Sequence, residues 1–302
     1  MAYFFGPPCI FSVFHLYNIK AHRQVNLCLN DERFRHKPNP VYLGITLDRS
    51  LSFREHLQKT AAKVATRNNR LSLLAGSSWG ASAATLRKSA LALCYSTEEY
   101  CAPVWSRSSH AKLIDIQLNK AVRILSGTLQ STLILWLPVL SHIPPPHLWR
   151  EDEISKLLNK AEFCDHLPLS SDVTDHPTLI GFWRINPDAD TTAPVSSRWR
   201  EVWQSVTVIN SSLVNDSTVR APSFHLLRRQ WSLVNRFRTG QGHCGTCRKN
   251  GVWQTMKCLS AATSRQCHTS LIPVRWPNST VVYNVYNPAD KAAVDWLTSY
   301  GT

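Results

Sequence analysis

The strongest constraint on the fold is a run of helical periodicity over residues 51–127, punctuated by glycine. Leu57, Ala61, Val64, Leu71 and Leu74 broadly follow one helical face, and Gly76 is a natural stop. Ser52 and Glu55 have capping-box spacing, in which the hydroxyl bonds the third amide and the carboxylate reaches back. Ser82 is placed to cap a second helix carrying Leu86, Ala90, Leu93 and Cys94, which ends before Pro103. A third starts near Ser109, carries Ile114, Leu118, Ala121 and Leu125, and is closed by Gly127. Short connections between three such helices predict a compact bundle.

The flanks are less regular. Residues 1–47 read as strands and turns: a buried strand from Ile10 to Leu16, alternation at Val25, Leu27 and Leu29, and a turn at Asn30-Asp31. An extended run follows at Val41 to Ile45, with Pro38 and Pro40 keeping the approach non-helical. Beyond Pro138 the signal weakens until about Ser223. Pro144-Pro145-Pro146 breaks structure, a short charged helix spans Glu151 to Glu162, and Ser170 to Ser197 reads as a linker. Trp199, Trp203 and Trp231 lie in amphipathic stretches and read as core packed on the bundle, the rarer alternative being platforms for base stacking. The expected fold is mainly α with a small β hairpin: a three-helix bundle followed by a loosely structured, Pro-rich and Cys-containing C-terminal region. The boundaries are 1–47, 48–137 for the bundle, 138–225 for a linker with short helices, and 226–302.

With 43% hydrophobic residues the chain can build a core, which excludes wholesale disorder. Its 34 Lys and Arg against 20 Asp and Glu, a formal charge of +14, favour a polyanionic partner, nucleic acid ahead of acidic membrane. Nine scattered cysteines do not make a secreted disulfide scaffold and point to a reducing compartment. The apolar stretch Met1 to Tyr17 lacks a basic leader and is interrupted by Pro7-Pro8. No other stretch reaches the roughly 18 apolar residues that a membrane helix needs. The expectation is therefore an intracellular protein, cytoplasmic or nuclear, without a membrane or small-molecule partner.

The sharpest electrostatic feature is Lys59, Lys63, Arg67 and Arg70, whose spacings put four cations on one face of the first helix. Such a row is either a solvated outer face or a surface whose self-repulsion a bound polyanion relieves. Lys120 and Arg123 on the third helix could extend it. Cys244 and Cys247 have the spacing of a zinc-ligand pair, but Cys258, Cys267 and His268 do not close the site at regular spacing. Catalytic constellations are absent: no Gly-rich phosphate loop, no His-Glu-x-x-His, no Gly-x-Ser-x-Gly and no adjacent Asp-Asp. Asp188 and Asp190 sit in the linker, where a two-metal clamp on rigid elements is not offered.

Several blocks taken together carry a resemblance. They are Tyr42 to Asp48, Ser52-Phe53-Arg54-Glu55-His56-Leu57, Thr66-Arg67-Asn68-Asn69, Ala75 to Gly80, Tyr95 to Trp105 and Trp136 to Leu140. Their series resembles the post-catalytic part of reverse transcriptases from jockey-like non-LTR retrotransposons, and Phe237 to Gly245 resembles a later block of the same proteins. The likeness runs from about Val13 to Cys247. It implies that Tyr42, Leu43 and Gly44 form a primer-grip-like hairpin at the end of a palm, and that Ser52 to Gly127 is a thumb. The thumb's basic row would then lie against the backbone of an RNA or DNA template–primer duplex.

Two departures accompany the likeness. The Phe/Tyr-x-Asp-Asp motif, fingers and endonuclease of that family have no counterpart in the chain, so an RNA-directed DNA polymerase activity is not expected of it alone. Magnesium is expected only for the missing palm, and the chain itself is expected to need no cofactor. Residues 257–287 depart from the family pattern, but codons for Gln266 to Val282 can be chosen that restore family text in a shifted frame. Two compensating frame changes, near Trp253–Lys257 and near Tyr286–Pro288, would explain this. They would also replace the zinc ligands, leaving Cys244 and Cys247 without a site and no metal expected. The resemblance thus implies a fragment or relic of a transposable-element reverse transcriptase with residual nucleic-acid binding. The alternatives are a domesticated nucleic-acid-binding module and a truncated gene model of an active enzyme.

Overall fold

The computed structural model describes residues 10–15, 19, 26–29, 32–33, 35–76, 79–164, 193–241, 275–276 and 279–280 of the 302-residue chain. The Ser170 to Ser197 linker, for the most part, and the cysteines beyond residue 241 lie outside these residues.

The front of the chain carries minimal strands. β1 (Ile10–Phe11) pairs in parallel with β4 (Arg35–His36), and β2 (Cys28–Leu29) pairs antiparallel with β3 (Glu32–Arg33). The expected buried strand from Ile10 to Leu16 is thus only two residues long, with Phe11 half-buried and Phe14 exposed. β5 (Val41–Tyr42) and β6 (Ile45–Thr46) form the expected hairpin, in register Val41 with Thr46 and Tyr42 with Ile45.

Three helices then build the bundle: α1 (Arg54–Leu74), α2 (Ala83–Ala90) and, after a four-residue helix α3 (Ala102–Trp105), α4 (Lys112–Ser126). Helix α2 widens into a π turn at Leu91–Tyr95 and returns to α-helix at Ser96–Glu98. Leu57, Val64, Leu71, Leu86, Ala90, Cys94, Ile114, Leu118, Ala121 and Leu125 are fully buried together, as their periodicity required. Ser82 accepts the Thr85 amide as an N-cap, and Gly127 closes α4 at φ +67°.

The start of α1 differs from its sequence reading. The Asp48 carboxylate is the main acceptor there, taking the Ser52 amide at 2.7 Å, the Arg54 amide at 3.1 Å and the Ser52 hydroxyl at 2.8 Å, while the Ser52 oxygen shares the Arg54 amide only at 3.4 Å. Glu55 turns instead to Lys59, 2.6 Å away. A charged acceptor beats a hydroxyl at a helix N-terminus, where the dipole favours an anion.

The second half is more ordered than its sequence suggested. Helix α5 (Trp136–Ser141) follows the bundle, and α6 (Pro146–Phe163) begins on the last of the three prolines rather than five residues later. Proline at the first helical position loses no hydrogen bond and brings its φ pre-set. Helix α7 (Val195–Gln204) lays Trp199 and Trp203 on Trp136, Val139, Leu140 and Leu148, with the Trp136 and Trp203 rings edge-to-face at 5.0 Å. Helix α8 (Arg228–Arg238) buries Trp231 against Phe224 and Ala83. All three tryptophans are therefore core. A further antiparallel pair, β7 (Arg275–Trp276) and β8 (Ser279–Thr280), lies in the C-terminal region.

Candidate nucleic-acid interface

Helix α1 turns about 100° per residue, which places Lys59, Lys63 and Arg70 within about 40° of one another and spreads them over about 16 Å of its length. All three are exposed. Arg67 lies about 80° round from Lys59, at the border of the buried face, so it meets the neighbouring helix instead. Its guanidinium donates to the Leu93 carbonyl at 2.5 Å and to the Thr97 hydroxyl, bracing the π turn of α2. The row of four named from the sequence is thus an exposed row of three with one structural arginine beside it.

On α4, Lys120 is exposed. Arg123 is half-buried and donates to the Thr132 carbonyl at 3.1 Å, which ties the loop after α4; burial lowers its pKa from the ordinary arginine value. It is a structural residue in this arrangement, and no described contact joins Lys120 to the row on α1.

The hairpin stands beside the amino end of that row. Its two-residue loop, Leu43 and Gly44, has positive φ at both positions, 45° and 81°, the geometry of a type I′ turn. Glycine is at home there; leucine is not, and pays roughly 1–2 kcal/mol for the left-handed region. Tyr100 holds the turn in place: its hydroxyl donates to the Leu43 carbonyl at 2.7 Å, and its ring closes on Gly44 so that a Cβ there would sit 3.3 Å from it. The tip is apolar and exposed, with Tyr42 at 66% and Leu43 at 70% of full accessibility and Tyr100 at 53%. At the hairpin's base, Thr46 accepts from Lys59 Nζ at 3.5 Å, and its amide donates to Nδ1 of buried His56 at 3.3 Å.

The hairpin base thus meets the amino end of the row Lys59, Lys63 and Arg70 at Lys59, while the exposed apolar tip is held by Tyr100. Burial lowers the pKa of His56, with the Lys63 and Lys59 charges adding to the effect. Sequence reasoning missed Tyr100 and His56 as parts of the site. Neither has a periodicity or spacing that marks it.

The remaining conspicuous polar residues serve the scaffold. Asn68 is fully buried, donates to the Gln117 carbonyl at 2.8 Å and accepts from Cys94 Sγ at 3.3 Å, so it joins all three bundle helices. Among the described residues no group of three His, Cys, Asp or Glu is placed to hold a metal ion, and no helix is long and apolar enough to cross a membrane. Comparison with protein-family models, with curated proteins and with solved structures gave no match to this chain.

Proposed function

We propose that the chain binds the sugar–phosphate backbone of RNA or DNA along α1, as a thumb-like, post-catalytic piece of a non-LTR retrotransposon reverse transcriptase. The observation that carries this reading is the exposed line Lys59, Lys63 and Arg70, which the base of the 41–46 hairpin meets at Lys59. Three cations spread over about 16 Å suit successive phosphates of one strand, and they contact charge rather than base edges. Binding is thus sequence-independent. The formal charge of +14 adds a long-range attraction.

The test is anisotropy of a labelled 20-nucleotide RNA–DNA hybrid titrated with the full chain at several salt concentrations. Three phosphate contacts predict that log K falls by about 2–3 per tenfold rise in salt. Exchanging Lys63 and Arg70 for Glu should lower the slope to about 1 and weaken binding, whereas a flat salt response in the unaltered chain would sink the proposal. Primer extension should be undetectable, because the chain has no adjacent aspartates to hold two metal ions.

A further inference from the structure

The hairpin is tied to the bundle by three hydrogen bonds among the described residues: Tyr100 to the Leu43 carbonyl at its tip, and His56 and Lys59 to Thr46 at its base. The bond to His56 has a direction. The Thr46 amide can only donate, so Nδ1 must offer a lone pair and the imidazole must be neutral with its proton on Nε2. Protonation puts an N–H on Nδ1 as well, and two donors then face each other across 3.3 Å.

We infer that His56 is a proton-operated latch: neutral, it clasps the base of the 41–46 hairpin to α1, and protonated, it releases the Thr46 amide while Tyr100 keeps the tip.

The surroundings support the latch from several sides. His56 is buried, 7% exposed, and lies in the first turn of α1, where the helix dipole opposes a cation. From its own helix the charges acting on it are Lys59 and Lys63. Glu55, the residue before it, is taken up by Lys59, and the Asp48 carboxylate by the Ser52 and Arg54 amides. From the hairpin it meets the Thr46 amide, which does not titrate. Its protonation therefore lies below the ordinary histidine value, and the latch is closed at neutral pH and opens in acid. Lys59 still reaches the Thr46 hydroxyl and Tyr100 the Leu43 carbonyl, so the release is local to the Thr46 amide. The latch concerns the free chain and stands whether or not nucleic acid binds.

The experiment is backbone amide exchange at Thr46 in the full chain, corrected for intrinsic exchange, between pH 7.5 and 5. Between the ordinary histidine value of 6.5 and the lowered His56 midpoint the protection should fall by up to about tenfold per pH unit, the slope for release linked to one proton, and it should level off below that midpoint. Imidazole nitrogen spectra should show an unprotonated Nδ1 at neutral pH. His56→Asn, whose side-chain carbonyl can accept the same amide without titrating, should keep Thr46 protected at both pH values. Constant protection in the unaltered chain, an Nδ1–H tautomer at neutral pH, or the same acid loss in His56→Asn would each overturn the latch. If the substituted chain fails to fold, the nitrogen spectra of the unaltered chain decide alone.

Discussion

Leu43 occupies the first position of a turn that suits asparagine or glycine, with its side chain mostly in water. No packing in the fold repays that strain, which is where an interface residue is expected to stand. Leu43→Asn should therefore stabilise the chain by about 1 kcal/mol in a denaturant melt. The same change should weaken the hybrid's binding, because it removes apolar surface from the tip. A gain in both stability and affinity would show that the tip takes no part. Glu98 makes a second prediction. It is buried, its Oε1 has no hydrogen-bond partner among the described residues, and Arg150 approaches only to 3.6 Å. Burial pushes its pKa up to about 8 against the pull of Arg150, with Glu99 and Asp115 adding to the rise. The folded chain thus binds the proton more tightly than the unfolded chain, whose carboxyl titrates near the ordinary value. That stabilisation is complete in acid and is lost as pH rises from about 4.5 through about 8. Glu98→Gln should abolish this part of the pH dependence, so the difference in melting temperature between the two chains should shift in favour of the glutamine form across that range.

At the scale of elements, the C-terminus of α4 shows why a terminal segment belongs to the bundle. Arg228 donates to the Ile124 and Leu125 carbonyls, Asn235 to Ser126 at 2.9 Å, and Arg236 to Gly127 at 3.0 Å. Four successive carbonyls left bare by the end of a helix are thus all covered by side chains of α8. Gln241 continues the clasp to Ser131 and Thr132. The boundary drawn at residue 226 therefore cuts through a packed unit. Asn235→Ala should cost about 1–3 kcal/mol by leaving a buried carbonyl unpaired, measured by thermal or denaturant unfolding. The bundle helices were readable in the sequence because Leu and Ala at helical spacing need only local regularity. The α8 clasp was not, since its pairs lie more than a hundred residues apart and arginine looks like a surface residue until its acceptors are known. The same holds for Arg67: spacing by fours and threes put it on the basic face, and only the accumulated turn of the helix brought it to the Leu93 carbonyl. Periodicity read Val41 to Ile45 as one extended run, which the left-handed turn at Leu43 and Gly44 instead folds into a hairpin, and the anchors Tyr100 and His56 depend on how that hairpin docks.

For the whole molecule, a charge of +14 offers a rival to any local interface, because a strongly basic chain attracts polyanions over its entire surface. The two explanations differ in where charge must sit. Lys88 and Lys112 are exposed lysines on α2 and α4, outside the row on α1. Reversing Lys88 and Lys112 to Glu removes the same charge as reversing Lys63 and Arg70. If net charge alone binds the hybrid, both double variants should weaken it equally and lower the salt slope equally. If α1 is the interface, Lys88 and Lys112 make none of its phosphate contacts, and their reversal should change the slope far less. The Lys63 and Arg70 pair should instead lose about two contacts' worth of slope while its unfolding midpoint stays close to that of the unaltered chain, since neither side chain packs on the core. Measured side by side at 50 and 200 mM salt, the two variants separate a surface that holds phosphates in register from one that is merely positive.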